Sequence, residues 1–332
     1  MHTGPKPAVA PVSGTRIAAV DLARAAALLA MAVYHFAWDL EFFGYIEPGT
    51  TNAGLWKVFA RSIAGSFLFL VGVSLVLAHG DGIRWRGYWK RLAMVAGAAA
   101  LISLATYLAV PQGFIFFGIL HQIAVASLLG LAFLRLPWLA NAAIAAFVVA
   151  LPQLFRDPLF DHPSLWWVGL SATTPRSNDY VPLFPWFGAV LAGMAAAQFA
   201  SGIGLRERLA RWRPGRWASL PRFLSRHSLA VYLLHQPLLI GLVWAATQIA
   251  PPIEIAPEVR FRQACETSCG GGRDAVFCDG YCACMLGALE AAGDLPRVLE
   301  GGEDDAMTAR IRESADLCSA AQEGGAGMEE TP

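Results

Sequence analysis

The chain has 332 residues, 56% of them hydrophobic and 15% charged, with 25 basic side chains balanced by 25 acidic ones. Such an apolar composition excludes an ordinary water-soluble domain and marks a membrane protein; no nucleic-acid partner is expected.

Seven stretches approach the roughly 20 residues a helix needs to cross a hydrocarbon core. They are residues 17–37, 58–79, 91–110, 113–135, 137–155, 182–201 and 228–250, the fourth and fifth separated only by "LPW" at 136–138. The predicted fold is an all-α polytopic membrane bundle of about seven transmembrane helices with a small cysteine-rich tail. It divides into an N-terminal tail (1–16), a transmembrane domain (17–250) and an acidic tail (251–332). The first sixteen residues lack the short apolar core of a secretory signal, so the first helix is expected to stay uncleaved.

That helix reads "VDLARAAALLAMAVYHFAWDL" and carries Asp21, Arg24, His35 and Asp39. A charge inside a span costs about 2.5 to 3.5 kcal/mol on insertion scales, which makes each one a functional candidate. Asp21 and Arg24 stand three apart and can pair. Arg24 and His35 stand eleven apart, on nearly the same face and about 16 Å along the axis. Asp39, one turn past His35, can accept the ring N–H and fix its tautomer, the arrangement of a general base oriented by a carboxylate. The same residues also fit a purely structural reading, with Arg24 paired to Asp21 and snorkelling to the headgroups and Asp39 in an aqueous loop.

Basic residues mark the cytoplasmic loops. They gather in the N-terminal tail (Lys6, Arg16), the second loop (Arg84, Arg86, Lys90, Arg91), the fourth (Arg135) and the sixth, "RERLARWRPGRW" with Arg222 and Arg226. This predicts a cytoplasmic N-terminus and, after seven crossings, a C-terminus on the other side. The sixth loop could also attract anionic lipids or a cofactor's phosphates. Within later spans, His121 with Gln122 and His235 with Gln236 are the polar positions, and Pro237 can free carbonyls for the latter pair. His79 and His227 fit helix ends, while Pro182 and Pro185 open the sixth span and Gly188 and Gly193 suit close helix contact.

Up to residue 250 there are 19 basic and 9 acidic residues; beyond it, 6 and 16. The tail holds all six cysteines, Cys265, Cys269, Cys278, Cys282, Cys284 and Cys318. An oxidising compartment favours disulfides and a cytoplasmic one favours a metal; the pairing is not fixed by spacing, and no metal is expected. A short helix is expected at "MLGALEAAG", with "EGGEDD" and "AAQEGGAGMEETP" loose and solvated. There is no Walker loop, no dinucleotide-binding glycine motif, no nucleophile elbow and no H-E-x-x-H.

Five stretches in order, "VDLARAAALLAMAVYHFAWDLEFFG", "FLFLVGVSL", "FGILHQIAVASLLG", "LFPWFGAVLAGM" and "SRHSLAVYLLHQPLL", resemble the bacterial branch of the heparan-alpha-glucosaminide N-acetyltransferase catalytic-domain family. The Arg-x10-His spacing and "SLAVYLLHQP" also resemble the acyltransferase-three family. The resemblance covers roughly residues 16–250. It implies a multi-pass enzyme of the bacterial inner membrane, with its C-terminus periplasmic, that moves an acetyl group from cytoplasmic acetyl-CoA to a sugar amine or hydroxyl of a glycan or glycolipid. On that reading Arg24, Arg91, His235 and Gln236 bind the donor, and His35 with Asp39 deprotonates the acceptor or briefly carries the acyl group, with His121 as second candidate. A homo-oligomer is compatible with it. The lysosomal member's functional histidine after the first helix has no counterpart in "EFFGYIEPG". The alternative from another class is a transporter or flippase with His35, His121 and His235 along its path. A third is a non-catalytic anchor for the cysteine tail.

Overall fold

The structure is a computed structural model that describes residues 17–326, apart from 81, 253–255, 271 and 303. The expected N-terminal tail, with Lys6 and Arg16, lies outside the described residues, as does the end of the cysteine tail. Among the described residues every regular element is a helix, the arrangement that satisfies an apolar chain's backbone from within. In chain order these are α1 (Ala18–Phe42), α2 (Gly54–His79), α3 (Trp85–Ala109), α4 (Ile119–Gly130), α5 (Trp138–Leu154), α6 (Leu183–Gly202) and α7 (Leu205–Arg211). There follow α8 (Ser219–Arg226), α9 (Ser228–Thr247), α10 (Pro257–Cys269), α11 (Ala275–Ala292), α12 (Leu295–Leu299) and α13 (Asp305–Ala326).

Six of them, α1, α2, α3, α6, α9 and α11, are long and apolar enough to cross a membrane, and the chain is a multi-pass membrane protein. The predicted fourth and fifth spans correspond to shorter apolar helices, Ile119–Phe133 and Trp138–Leu154. α11 was not among the expected spans. Its three cysteines are bound to α10 and α13, and we assign it to the cysteine-rich region.

Contacts divide the described residues into two compact units, one of residues up to 33 with 59–237 and the other of residues 34–58 with those from 238 on. The core of the first is built by Leu68, Val71 and Leu75 of α2, Ala126 of α4, Ala145 and Val148 of α5, and Val190, Leu191 and Met194 of α6. Glycine lets these helices touch. A Cβ on Gly72 would fall 1.9 Å from the carbonyl oxygen of Val190, and one on Gly193 would fall 2.0 Å from that of Phe69, so α2 and α6 meet backbone to backbone. A Cβ on Gly188 would lie 2.9 Å from the carbonyl oxygen of Ala145 on α5. Both expected contact glycines therefore have partners, on different helices.

The break at "LPW" needs its carbonyls satisfied if it is to lie in an apolar bundle. Asn141 Nδ2 donates to the carbonyl of Phe133 (3.2 Å) and to Gln198 Oε1 (2.9 Å), while Gln198 Nε2 donates to the carbonyls of Leu134 (3.2 Å) and Leu136 (3.0 Å). The buried Asn141 and the half-buried Gln198 thus make the turn between α4 and α5 tolerable. The fourth span begins at Ile119 and not at 113 because Pro111 opens a separate 3-10 turn, Pro111–Gly113. The next residues run beside 178–181, with Asn178 N–H donating to Gly113 and Val181 N–H to Phe117, each at 3.0 Å.

In the second unit α10 and α11 form a hairpin stapled by Cys265–Cys282 and Cys269–Cys278, and Cys284–Cys318 ties α13 to α11. Their buried core is Cys278, Cys282, Met285, Leu289, Leu295, Met307 and Cys318. Ion pairs add to it: Arg310 grips the buried Asp294 through two nitrogens (2.7 to 3.1 Å), and Arg273 reaches Glu323 at 2.7 Å. The segment "AAQEGGA", expected to be loose, is the last part of α13, held in place by the disulfide at Cys318.

Candidate functional site

Between α2, α3 and α4 of the first unit lies a cavity of about 390 Å³. Its apolar wall is Val71, Leu75, Leu92 and Val95; its polar groups are Ser74, His79, Arg84, Tyr88, Arg91 and Ser127. Helical spacing explains the set, because Tyr88, Arg91 and Val95 recur every three or four residues along one face of α3, and Ser74 and Ala78 do so on α2. His79 Nδ1 accepts the backbone N–H of Arg84 (3.4 Å), which leaves the ring proton on Nε2, and the ring meets Tyr88 edge-on at 5.6 Å. The Tyr88 hydroxyl is buried and has no hydrogen-bond partner among the described residues, a cost that a ligand's polar atom would remove.

Arg24 stands behind this wall. Its guanidinium donates to Ser74 Oγ (2.9 Å) and Ser225 Oγ (3.1 Å) and lies 3.6 Å from Asp21, while Ser225 donates to Asp21 at 2.9 Å. The Asp21–Arg24 pairing expected from sequence is therefore present, and it ties α1 to α2 and α8. Of the residues assigned to the donor from sequence, Arg91 lines the cavity and Arg24 reaches it through Ser74. His235 and Gln236 do not line it; the His235 Nδ1–H donates to the carbonyl of Tyr232 at 2.6 Å, one turn before Pro237 in α9.

A second polar cluster gathers on the first turn of α4. His121 Nδ1 accepts the N–H of Gly118 (3.2 Å), so its proton sits on Nε2, which donates to Ser103 Oγ of α3 (3.2 Å); Ser103 in turn donates to the carbonyl of Ile115 (2.5 Å). Both ring nitrogens are engaged in holding this turn. Asp179, from the loop before α6, accepts the N–H of Ile119 at 2.8 Å, placing a carboxylate on the positive end of the helix. Gly118 makes room for it, since a Cβ there would lie 2.3 Å from Asp179 Oδ2. Burial pushes the Asp179 pKa up from 3.8 to about 6, against the opposing pull of the Ile119 hydrogen bond. One residue further along α4 from His121, the Gln122 side chain is fully buried, and neither amide atom has a hydrogen-bond partner among the described residues.

The third candidate lies in the second unit. α1 continues to Phe42, so Asp39 is inside the helix and fully buried, not in an aqueous loop. His35, one turn earlier on the same face, is half-buried and meets the Tyr34 ring edge-on at 5.6 Å. Glu41 accepts the N–H groups of Gly49 and Thr51, each at 2.7 Å, which folds the following loop onto the last turn of α1. Sequence reasoning missed Asp179, His79, Tyr88, Ser74 and Ser127. Among the described residues no group of three His, Cys, Asp or Glu side chains could hold a metal ion.

The sequence pattern of one family, described as heparan-alpha-glucosaminide N-acetyltransferase, catalytic, matches residues 16–237. Comparison with curated proteins and with solved structures gave no match.

Proposed function

Because the chain belongs to the heparan-alpha-glucosaminide N-acetyltransferase catalytic family, a family of membrane acetyltransferases, we propose that it transfers an acetyl group from cytoplasmic acetyl-CoA to a sugar amine or hydroxyl of a glycan or glycolipid on the far side of the membrane. What carries the reading is that the match, over residues 16–237, includes every residue lining the cavity. The lining fits the donor. Arg84 and Arg91 offer planar forks to phosphates, the unpartnered Tyr88 hydroxyl offers one more hydrogen bond, and Val71, Leu75, Leu92 and Val95 suit the pantetheine arm. The donor would supply a thioester carbonyl for the acceptor to attack, with the C–S bond breaking and CoA leaving as its thiolate.

His35 is the proposed base. It takes the proton from the acceptor's amine or hydroxyl, and Asp39 orients its ring and favours the charged imidazolium that results. Arg24 has a positioning role, holding Ser74 in the cavity wall. His121 holds the first turn of α4, and His235 is committed to the carbonyl of Tyr232. The basic second and sixth loops support a cytoplasmic position for the cavity mouth, since Arg84 belongs to the second.

The test is thermal. Acetyl-CoA should raise the melting temperature of the purified protein, since a ligand that binds only the folded state stabilises it, and Arg91→Gln should weaken that response. Inside-out vesicles given radiolabelled acetyl-CoA should then label a glycan or lipid fraction with wild type and not with His35→Ala. No thermal response and no label, with folded protein present, would overturn the proposal and favour transport.

A further inference from the structure

The segment from 203 to 227 contains seven arginines and a single acid, Glu207. Part of that excess follows the usual cytoplasmic bias, but the structure gives two of the arginines a more specific setting. Leu205 and Leu209 stand one turn apart on α7, and Trp212 follows the helix in extended conformation, with Arg208 and Arg211 beside them. Together with Ala19 at the start of α1 they line an open groove of about 600 Å³. Neither the Arg208 nor the Arg211 guanidinium has an ion pair or hydrogen bond among the described residues. The groove therefore has an apolar floor and two uncommitted guanidinium groups on its rim.

Its level in the bundle limits what can fill it. α1 begins at Ala18 and α6 ends at Gly202, so the groove lies where two membrane-crossing helices reach the headgroup zone. The neighbouring chain shares that character. Trp217, just before α8, and Leu220 and Phe223 within it are each more than half exposed, and Arg222 and Arg226 share α8 with the latter two, a pairing of apolar and basic residues that suits a bilayer surface. α8 cannot swing away, because Ser225 is bound to Arg24 and Asp21 of α1.

We propose that the groove between α1 and α7 is a binding site for an anionic phospholipid, its phosphate held by Arg208 and Arg211 and an acyl chain lying against Leu205, Leu209 and Trp212. A soluble phosphate compound would satisfy the rim and leave the apolar floor wet; a zwitterionic lipid would cover the floor but bring an ammonium group beside the arginines. The anionic lipid satisfies both halves.

The test uses the full-length protein in mixed micelles, with phosphatidylglycerol titrated into phosphatidylcholine and the melting temperature as the readout. Phosphatidylglycerol should stabilise wild type at low mole fraction, and Arg208→Gln/Arg211→Gln should weaken that response about 30-fold. A control that removes two charges elsewhere, Arg260→Gln/Arg312→Gln, should respond as wild type does. If the groove variant melts differently from wild type in phosphatidylcholine alone, Arg208→Lys/Arg211→Lys replaces it, and the response should then persist. An unchanged response in the Gln variant, an equal loss in the control, or loss in the Lys variant would overturn the proposal. So would abolition of the response by saturating inorganic phosphate or CoA, which would assign the arginines to a soluble anion.

Discussion

Asp179→Asn tests the polar turn of α4 directly. In the folded chain the carboxyl sits on the Ile119 N–H, under Gly118. Burial holds its pKa at about 6, against 3.8 without that burial. Below the lower value the group is neutral whether the chain is folded or unfolded. As pH rises past it, the unfolded chain ionises first, and folding must then keep a proton on the group or bury a charge. The stability linked to this group is therefore present at low pH and lost as pH rises through about 6. At 1.36 kcal/mol per pH unit the whole gap is worth about 3 kcal/mol, of which about 1.4 kcal/mol disappears between pH 5 and pH 8. Asparagine keeps the oxygen that Ile119 needs and cannot ionise. Melting temperatures of the two proteins in the same detergent should therefore separate as pH rises from 5 to 8, with the variant gaining a few degrees on wild type. Curves that stay parallel across that range would refute the idea that the buried carboxylate is penalised.

His35→Ala should reduce acetyl transfer by about 10²- to 10⁴-fold with expression and melting temperature kept; a rate within tenfold of wild type would remove His35 from the chemistry. Gly193→Leu must force α6 away from α2, because its Cβ alone would start 2.0 Å from the Phe69 oxygen. A loss of about 1 to 3 kcal/mol is expected, read as a lower melting temperature. Removing Cys284–Cys318, which closes a separation of 34 residues, should cost the cysteine region about 4 kcal/mol, against about 3 kcal/mol for Cys269–Cys278 with its separation of 9. Limited proteolysis within α13 of the whole protein reports the difference, and equal cutting rates would refute the loop-length account.

The helices were legible wherever one residue type forced the issue. Pro137 divides α4 from α5 because it starts a helix well and continues one badly, and apolar length alone located α2, α3, α6 and α9. α1 runs to Phe42, past the span 17–37 expected from apolar length, with burial of Asp39 and the loop bonds of Glu41 keeping both acids in the helix. Asp179 reads in sequence like its loop neighbours Asp157 and Asp161. Its distinction comes from the pairing of 178–181 with 113–117, a contact some sixty residues apart with no periodic signal. Likewise Arg84 and Arg91 carry a topological signal strong enough to hide the cavity they line. The cysteine pairing was not legible because it depends on α10 and α11 running antiparallel: only then do Cys265 and Cys269 on one helix face Cys282 and Cys278 on the other.

The glycine contact between α2 and α6 also determines which wall of the cavity can move. With no side chain between them at Gly72 and Gly193, those two helices have nothing to slide over, and α2 carries seven buried residues that anchor it further. α3 buries only Tyr88, Ala98 and Ala99. α3 is thus the less firmly packed wall of the cavity and α2 the more firmly packed one, so substitutions on α2 should disturb the cavity's shape more than those on α3.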